Sequence, residues 1–175
     1  VATAWPAIAA KLAERFWPGP LTLVLPKHAN VPDIVTAGGP TVAVRVPVHP
    51  IAHALLEAVQ LPIAAPSANR SSEISPTTAE HVRKTLDGRI DMILDGGPCP
   101  GGLESTVLDV TTDPPRLLRP GLVTPEQIES VIGPIQRAAR VDATRPLASP
   151  GLLDRHYAPQ ARLELADDDG RARVI

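Results

Sequence analysis

Ser105-Thr106-Val107-Leu108-Asp109-Val110-Thr111-Thr112-Asp113-Pro114-Pro115-Arg116-Leu117-Leu118-Arg119 reads as two strands in direct succession. β-Branched and aliphatic residues fill 105–110, Pro114-Pro115 turns the chain, and residues 116–119 make a short second strand. A further strand is predicted just upstream at 90–94, followed by the irregular loop Gly96-Gly97-Pro98-Cys99-Pro100-Gly101-Gly102. In a doubly wound sheet a helix follows each strand, whereas the strands from 90 to 119 are consecutive. The pattern predicts an α/β fold with a twisted mixed β-sheet flanked by helices.

Upstream, strands and helices alternate. Residues 6–17 carry Ile8, Leu12 and Phe16 at helical spacing, and Trp17-Pro18-Gly19-Pro20 ends that helix. In a strand over 21–25, Leu21, Leu23 and Leu25 share one face and Thr22 and Val24 the other. A loop with Lys27, His28 and Asn30 leads to the turn Gly38-Gly39-Pro40. The strand over 41–46 sends Val42, Val44 and Val46 to the core, and Thr41, Ala43 and Arg45 to the opposite face. A helix over 51–59 is expected to bury Ile51, Leu55 and Val59.

Ile63-Ala64-Ala65 reads as a buried strand end, stopped by Pro66 and followed by the polar run Ser67-Ala68-Asn69-Arg70-Ser71-Ser72-Glu73. Ser75 reads as an N-cap, with Pro76 opening a helix over 76–86 that turns Ala79, Val82 and Leu86 inward. Such a loop suits an anion, because unpaired N–H groups and the positive dipole end converge at a helix start. Ordinary capping uses the same residue types.

Downstream, Thr124-Pro125-Glu126-Gln127 carries an N-cap, a proline at the first position and a capping box. Ile128, Val131 and Ile132 face inward and Gly133 ends the helix. Residues 134–160 dissolve into Pro, Gly, Arg and Ala and read as a linker. A strand at 162–166 and the turn Asp167-Asp168-Asp169-Gly170 read as the first hairpin of a second domain over 161–175.

The composition narrows the functional classes. Hydrophobic residues at 43% and charged residues at 21% permit a core, and the low aromatic share builds it from Val, Leu, Ile and Ala. The 21 prolines sit at element boundaries rather than in one block. A net charge of −2 supplies no footprint for sequence-independent RNA or DNA binding. The single cysteine, Cys99, forms no internal disulfide and suits a reducing, cytoplasmic setting. No apolar run approaches the ~20 residues of a membrane span.

Several signals dissolve on inspection. His49 and His53 have zinc-compatible spacing, but Pro50 stands where a metalloprotease needs Glu and no third ligand follows. Ser105 lacks the flanking glycines of a nucleophile elbow. The glycine loop at 96–102 lacks the Lys-Ser/Thr ending of a P-loop, and Asp167 to Asp169 lack calcium-loop spacing. What remains is Thr41, Arg45, Ser67, Asn69, Ser75, Ser105 and Arg119, a set of hydroxyls, amides and guanidinium groups that bind and orient. It points to a phosphate-containing small molecule and electrostatic catalysis.

These stretches resemble the threonylcarbamoyl-AMP synthase family, whose catalytic unit is the YrdC-like domain. The matching segments are Phe16-Trp17-Pro18-Gly19-Pro20-Leu21-Thr22, Val44-Arg45-Val46-Pro47 with His49, and Pro66-Ser67-Ala68-Asn69 running to Ser75-Pro76-Thr77. Asp95-Gly96-Gly97-Pro98, Glu104-Ser105-Thr106-Val107 and Leu118-Arg119-Pro120-Gly121 continue the series in the family's order. Ser149-Pro150-Gly151 and Arg155-His156-Tyr157-Ala158-Pro159 resemble the linker of two-domain members, which leads to a smaller Rossmann-like C-terminal domain.

The resemblance implies a transferase that condenses L-threonine, bicarbonate and ATP into L-threonylcarbamoyladenylate with release of pyrophosphate, usually with magnesium held mainly through the nucleotide phosphates. The product would pass to the tRNA threonylcarbamoyl-transfer machinery, with no membrane partner and no indication of direct tRNA binding. It assigns Thr41, Ser67, Asn69, Ser75 and Arg119 to the nucleotide, with His156 and Tyr157 folding back from the linker. Arg45, the Ala65 backbone and Ser105 fall to threonine, and Arg45 and Arg119 are the catalytic pair. No residue is assigned to a metal.

Ser72 departs from the glycine that many members carry. The family's N-terminal phosphate motif would precede Val1, so residues 1–133 are expected to be the C-terminal portion of the catalytic domain and the chain alone to be inactive. The alternatives are the YrdC-like unit of a hydrogenase-maturation carbamoyltransferase, or a non-catalytic RNA-binding module.

Overall fold

The computed structural model describes residues 1–70, 73–137, 164–166 and 172–174. Its centre is β1 (Leu21–Pro26), whose first five residues are hydrophobic or small enough to be enclosed on both faces. β1 pairs antiparallel with β2 (Thr41–Val44) and parallel with β3 (Thr106–Asp109). β3 in turn pairs antiparallel with β4 (Arg116–Arg119), and β4 pairs parallel with β5 (Gln136–Arg137). The five-stranded order β2-β1-β3-β4-β5 is the mixed sheet expected from the consecutive strands around Pro114-Pro115. β5 lies within the stretch read as linker. Farther on, β6 (Glu164–Ala166) pairs antiparallel with β7 (Ala172–Val174).

Two helices cover one face of the sheet. Ala9 and Leu12 of α1 (Ala7–Phe16) and Ile128 of α4 (Pro125–Ile132) pack with Leu21, Leu23, Leu25, Leu108 and Leu117, all buried. Val24, Val107 and Leu118 form a smaller cluster from the alternate strand positions, as a period of two requires. α4 starts as its sequence predicts. The Thr124 side chain accepts from the Gln127 N–H while Gln127 returns the bond to the Thr124 N–H, a complete capping box.

Several expectations fail. The helix predicted at 76–86 begins later, as α3 (Ala79–Leu86), and its cap is Thr78, which accepts from the His81 N–H at 3.3 Å. Ser75 lies three residues before that cap position, and its hydroxyl donates to Glu104 instead. Ala79, Val82 and Leu86 are half-buried rather than enclosed. Residues 90–94 form no strand, and Ile90, Met92 and Leu94 are exposed. Ile63, Ala64 and Ala65 are likewise an exposed, non-strand segment. Both are apolar stretches that join neither sheet among the described residues.

α2 (Pro50–Val59) forms where expected, but Ile51, Leu55 and Val59 lie exposed instead of buried. Periodicity identifies residues that share a helix face; it does not supply the surface that covers them. His53 and Leu56 of α2 line a shallow groove with Val46 and Leu61.

This contrast is measurable. Leu23 is 0% exposed and Leu55 39%. In the 175-residue chain, Leu23→Ala is expected to lower unfolding free energy by about 3 kcal/mol and Leu55→Ala by under about 1 kcal/mol. Urea denaturation compares them, and equal costs would show that the α2 stripe is covered in solution. No helix among the described residues is long and apolar enough to cross a membrane.

Candidate functional site

The turn Pro18-Gly19-Pro20 between α1 and β1 brings two distant strand ends together. The Gly19 N–H donates to the Val46 carbonyl at 2.8 Å, just beyond β2, and the Thr106 N–H donates to the Pro20 carbonyl at 3.0 Å. Arg45 therefore lies on one side of the turn and Ser105 on the other. Thr22, on the less covered face of β1, completes the link: its hydroxyl lies 2.7 Å from the Ser105 hydroxyl. A side chain at Gly19 has no room here, because a Cβ would stand 2.2 Å from the Phe16 carbonyl oxygen.

Arg119 closes β4 against the same point. Its Nε donates to the Ser105 carbonyl at 3.0 Å and its Nη2 to the Ser105 hydroxyl at 3.1 Å, while Nη1 donates to the Glu104 carboxylate. Three of the five N–H groups of an arginine side chain are thereby used, which fixes the plane and leaves two for a ligand. The other oxygen of Glu104 accepts from the Ser75 hydroxyl at 3.1 Å. The result is a continuous chain of side chains, Thr22–Ser105–Arg119–Glu104–Ser75, drawn from β1, the β3 entry, β4 and the loop before α3.

A second cation stands nearby. Arg45 is exposed, yet partial desolvation and then the positive charge of Arg119 both push its pKa down. The Arg119 charge thus disfavours that of Arg45, a cost that a bound anion would relieve. That electrostatic tension is the chemical character of the site.

Of the residues singled out from sequence, Ser75, Ser105 and Arg119 meet in one network and Arg45 joins them electrostatically. Thr41 is half-buried at the far end of β2, opposite Pro26 in the register. Asn69 organises its own loop, with Nδ2 donating to the Arg70 and Glu73 carbonyls at 2.8 and 3.0 Å. Its Oδ1 is buried with no hydrogen-bond partner among the described residues. Ser67 and Ala65 are exposed, and His156 and Tyr157 lie outside the described residues. His49 faces the glycine loop, its Nε2 3.1 Å from the Gly96 carbonyl oxygen, while His53 Nδ1 lies 3.6 Å from Glu57.

A family model described as "Telomere recombination", for Sua5, YciO and YrdC proteins, matches residues 1–121. The chain belongs to the Sua5/YciO/YrdC family. A second model, "Threonylcarbamoyl-AMP synthase, C-terminal domain", matches residues 123–174. The chain is 54% identical to the threonylcarbamoyl-AMP synthase of Bacillus subtilis over 164 residues, covering 93% of this chain and 47% of that protein. It is 52% identical to that of Pyrococcus abyssi over 163 residues, covering 90% and 47%. The solved structure of P. abyssi Sua5 complexed with L-threonine superimposes with a TM-score of 0.88 at 51% identity, covering 93% of this chain and 48% of that one. The chain thus spans about half the length of the curated relatives it matches.

Glu104 and Thr22 join Ser105 and Arg119 in this network, although their sequence context assigns neither a role. Thr22 had a local signal, since it alternates out of the leucine face of β1. Glu104 had only its place beside Ser105, because its partners lie 29 and 15 residues away.

Proposed function

We propose that the protein is a nucleotidyltransferase that makes L-threonylcarbamoyladenylate from L-threonine, bicarbonate and ATP, releasing pyrophosphate, for tRNA threonylcarbamoyladenosine modification. The observation that carries this reading is Arg119, held in a fixed plane beside Arg45 in a chain half-identical to two threonylcarbamoyl-AMP synthases. Arg119 would clamp the α-phosphate, and Arg45 the threonine carboxylate, with Ser105 and the Ala65 backbone completing the amino-acid side. Thr41, Ser67, Asn69 and Ser75 would line the nucleotide, joined by His156 and Tyr157.

Catalysis in this scheme is alignment and charge neutralisation. The carboxylated amine of threonine is brought in line with the α-phosphate, and the two guanidinium groups stabilise the charge that develops. Magnesium fits as a passenger on the phosphates. The side chains described around Arg119 are cationic or hydroxylic, and Glu104 is engaged by Arg119 and Ser75, so they suit phosphate oxygens better than a bare divalent ion. The cytoplasm and hand-over of the adenylate to the tRNA-modifying machinery belong to the same proposal.

The test follows pyrophosphate release from ATP by the full-length gene product. Release should need both threonine and bicarbonate, and Arg45→Ala should raise the threonine KM at least about tenfold, the scale of one charge-assisted pair. Release indifferent to threonine would refute the reading. The 175 residues taken alone are expected to be inactive, and release from them at the full-length rate would overturn that part.

A further inference from the structure

We propose that Glu104 is a positioning residue that ties the loop ending at Ser75 to Arg119 and so sets the nucleotide subsite; this rests on the adenylate-forming reading. The two oxygens of its carboxylate are divided between two partners. One accepts from Arg119 Nη1, and the other accepts from the Ser75 hydroxyl at 3.1 Å. Those partners belong to different parts of the chain, the loop before α3 and the end of β4. Glu104 therefore links two segments that backbone ladders do not join.

The surroundings make the link stiff. Glu104 and Arg119 side chains are only 20% and 18% exposed, so water competes weakly for the pair. The Glu104 carbonyl is backed by Gly121, where even a Cβ would stand 2.5 Å from its oxygen. Ser105 already holds Arg119 through Nε and Nη2, which leaves the Nη1 end to Glu104. Removing the carboxylate breaks its bonds to Arg119 Nη1 and to the Ser75 hydroxyl at the same time. Of the proposed threonine contacts, Ser105 is also held by Thr22, and Arg45 is reached through the charge of Arg119.

The test is calorimetric titration of the folded full-length gene product with ATP and with threonine. Glu104→Ala should weaken ATP binding at least about tenfold and threonine binding less than about twofold. Glu104→Gln, which keeps an acceptor oxygen in the same place, should bring ATP affinity to within about threefold of wild type. Ser75→Ala should weaken ATP binding alone but add little to Glu104→Ala, because both break one link. Equal losses for ATP and threonine, no rescue by Gln, or additive effects of the two alanine variants would each overturn the proposal.

If the folded wild type binds no ATP, the adenylate-forming reading fails first. NMR exchange of the Arg119 Nη1 protons, which face Glu104, then decides the positioning role. Exchange about tenfold faster in Glu104→Ala supports it, and unchanged exchange refutes it.

Discussion

Arg119→Ala is expected to slow pyrophosphate release by the full-length gene product about 10²–10³-fold, the scale on which a pre-oriented charge donor contributes to a transition state. The guanidinium is anchored through Nε and Nη2 to Ser105 and through Nη1 to Glu104, so it meets an incoming phosphate without having to be ordered first. Arg119→Lys should recover less than about tenfold, because an ammonium group restores charge but not the three-way planar fork. The alanine variant also strips Glu104 of its cation, at a cost of about 1–3 kcal/mol in stability. Thermal unfolding measured beside turnover separates the two effects. A rate loss below tenfold with unchanged ATP affinity would remove Arg119 from the clamp.

Gly121→Ala should destabilise the sheet region by about 3 kcal/mol. An added Cβ would stand 2.5 Å from the Glu104 carbonyl oxygen, 2.5 Å from the Thr106 nitrogen and 2.7 Å from the Ser105 carbonyl carbon. All three are backbone atoms, and no rotamer change can move them aside. Nearby, the Thr106 hydroxyl bonds the Val123 carbonyl at 2.7 Å and accepts from the Val123 N–H at 3.1 Å, so this crossing is pinned from its other end as well. The strain would fall on the residues that aim Arg119. Gly102→Ala is the matched control, since a Cβ there meets nothing within 4 Å and should change stability by under about 0.5 kcal/mol. Equal unfolding midpoints for the two variants would show that the crossing yields.

Local chemistry made much of the fold readable. Thr124 and Gln127 announced the α4 start because a capping box is complete within four residues. The alternation of Leu21, Leu23 and Leu25 placed β1 in the core, and two strands separated only by a proline turn required a mixed sheet. Arg45, Ser105 and Arg119 could be named as binding groups because few residue types can hold phosphate or carboxylate. Their sequence neighbours carried the family resemblance.

Other features depend on partners far away in the chain. Ser75 looks like a cap by every local rule, yet its hydroxyl goes to Glu104, and Thr78 caps α3 instead. Ile90, Met92 and Leu94 have strand composition and no ladder; Ile51, Leu55 and Val59 have an amphipathic period and no cover. Composition specifies which groups seek burial or a hydrogen bond, because that preference belongs to the residue and its near neighbours. Which group satisfies which is set by the fold, where a proline turn holds Val46 against Gly19 and Thr106 against Pro20 and so collects Arg45, Ser105, Glu104 and Arg119 at one point.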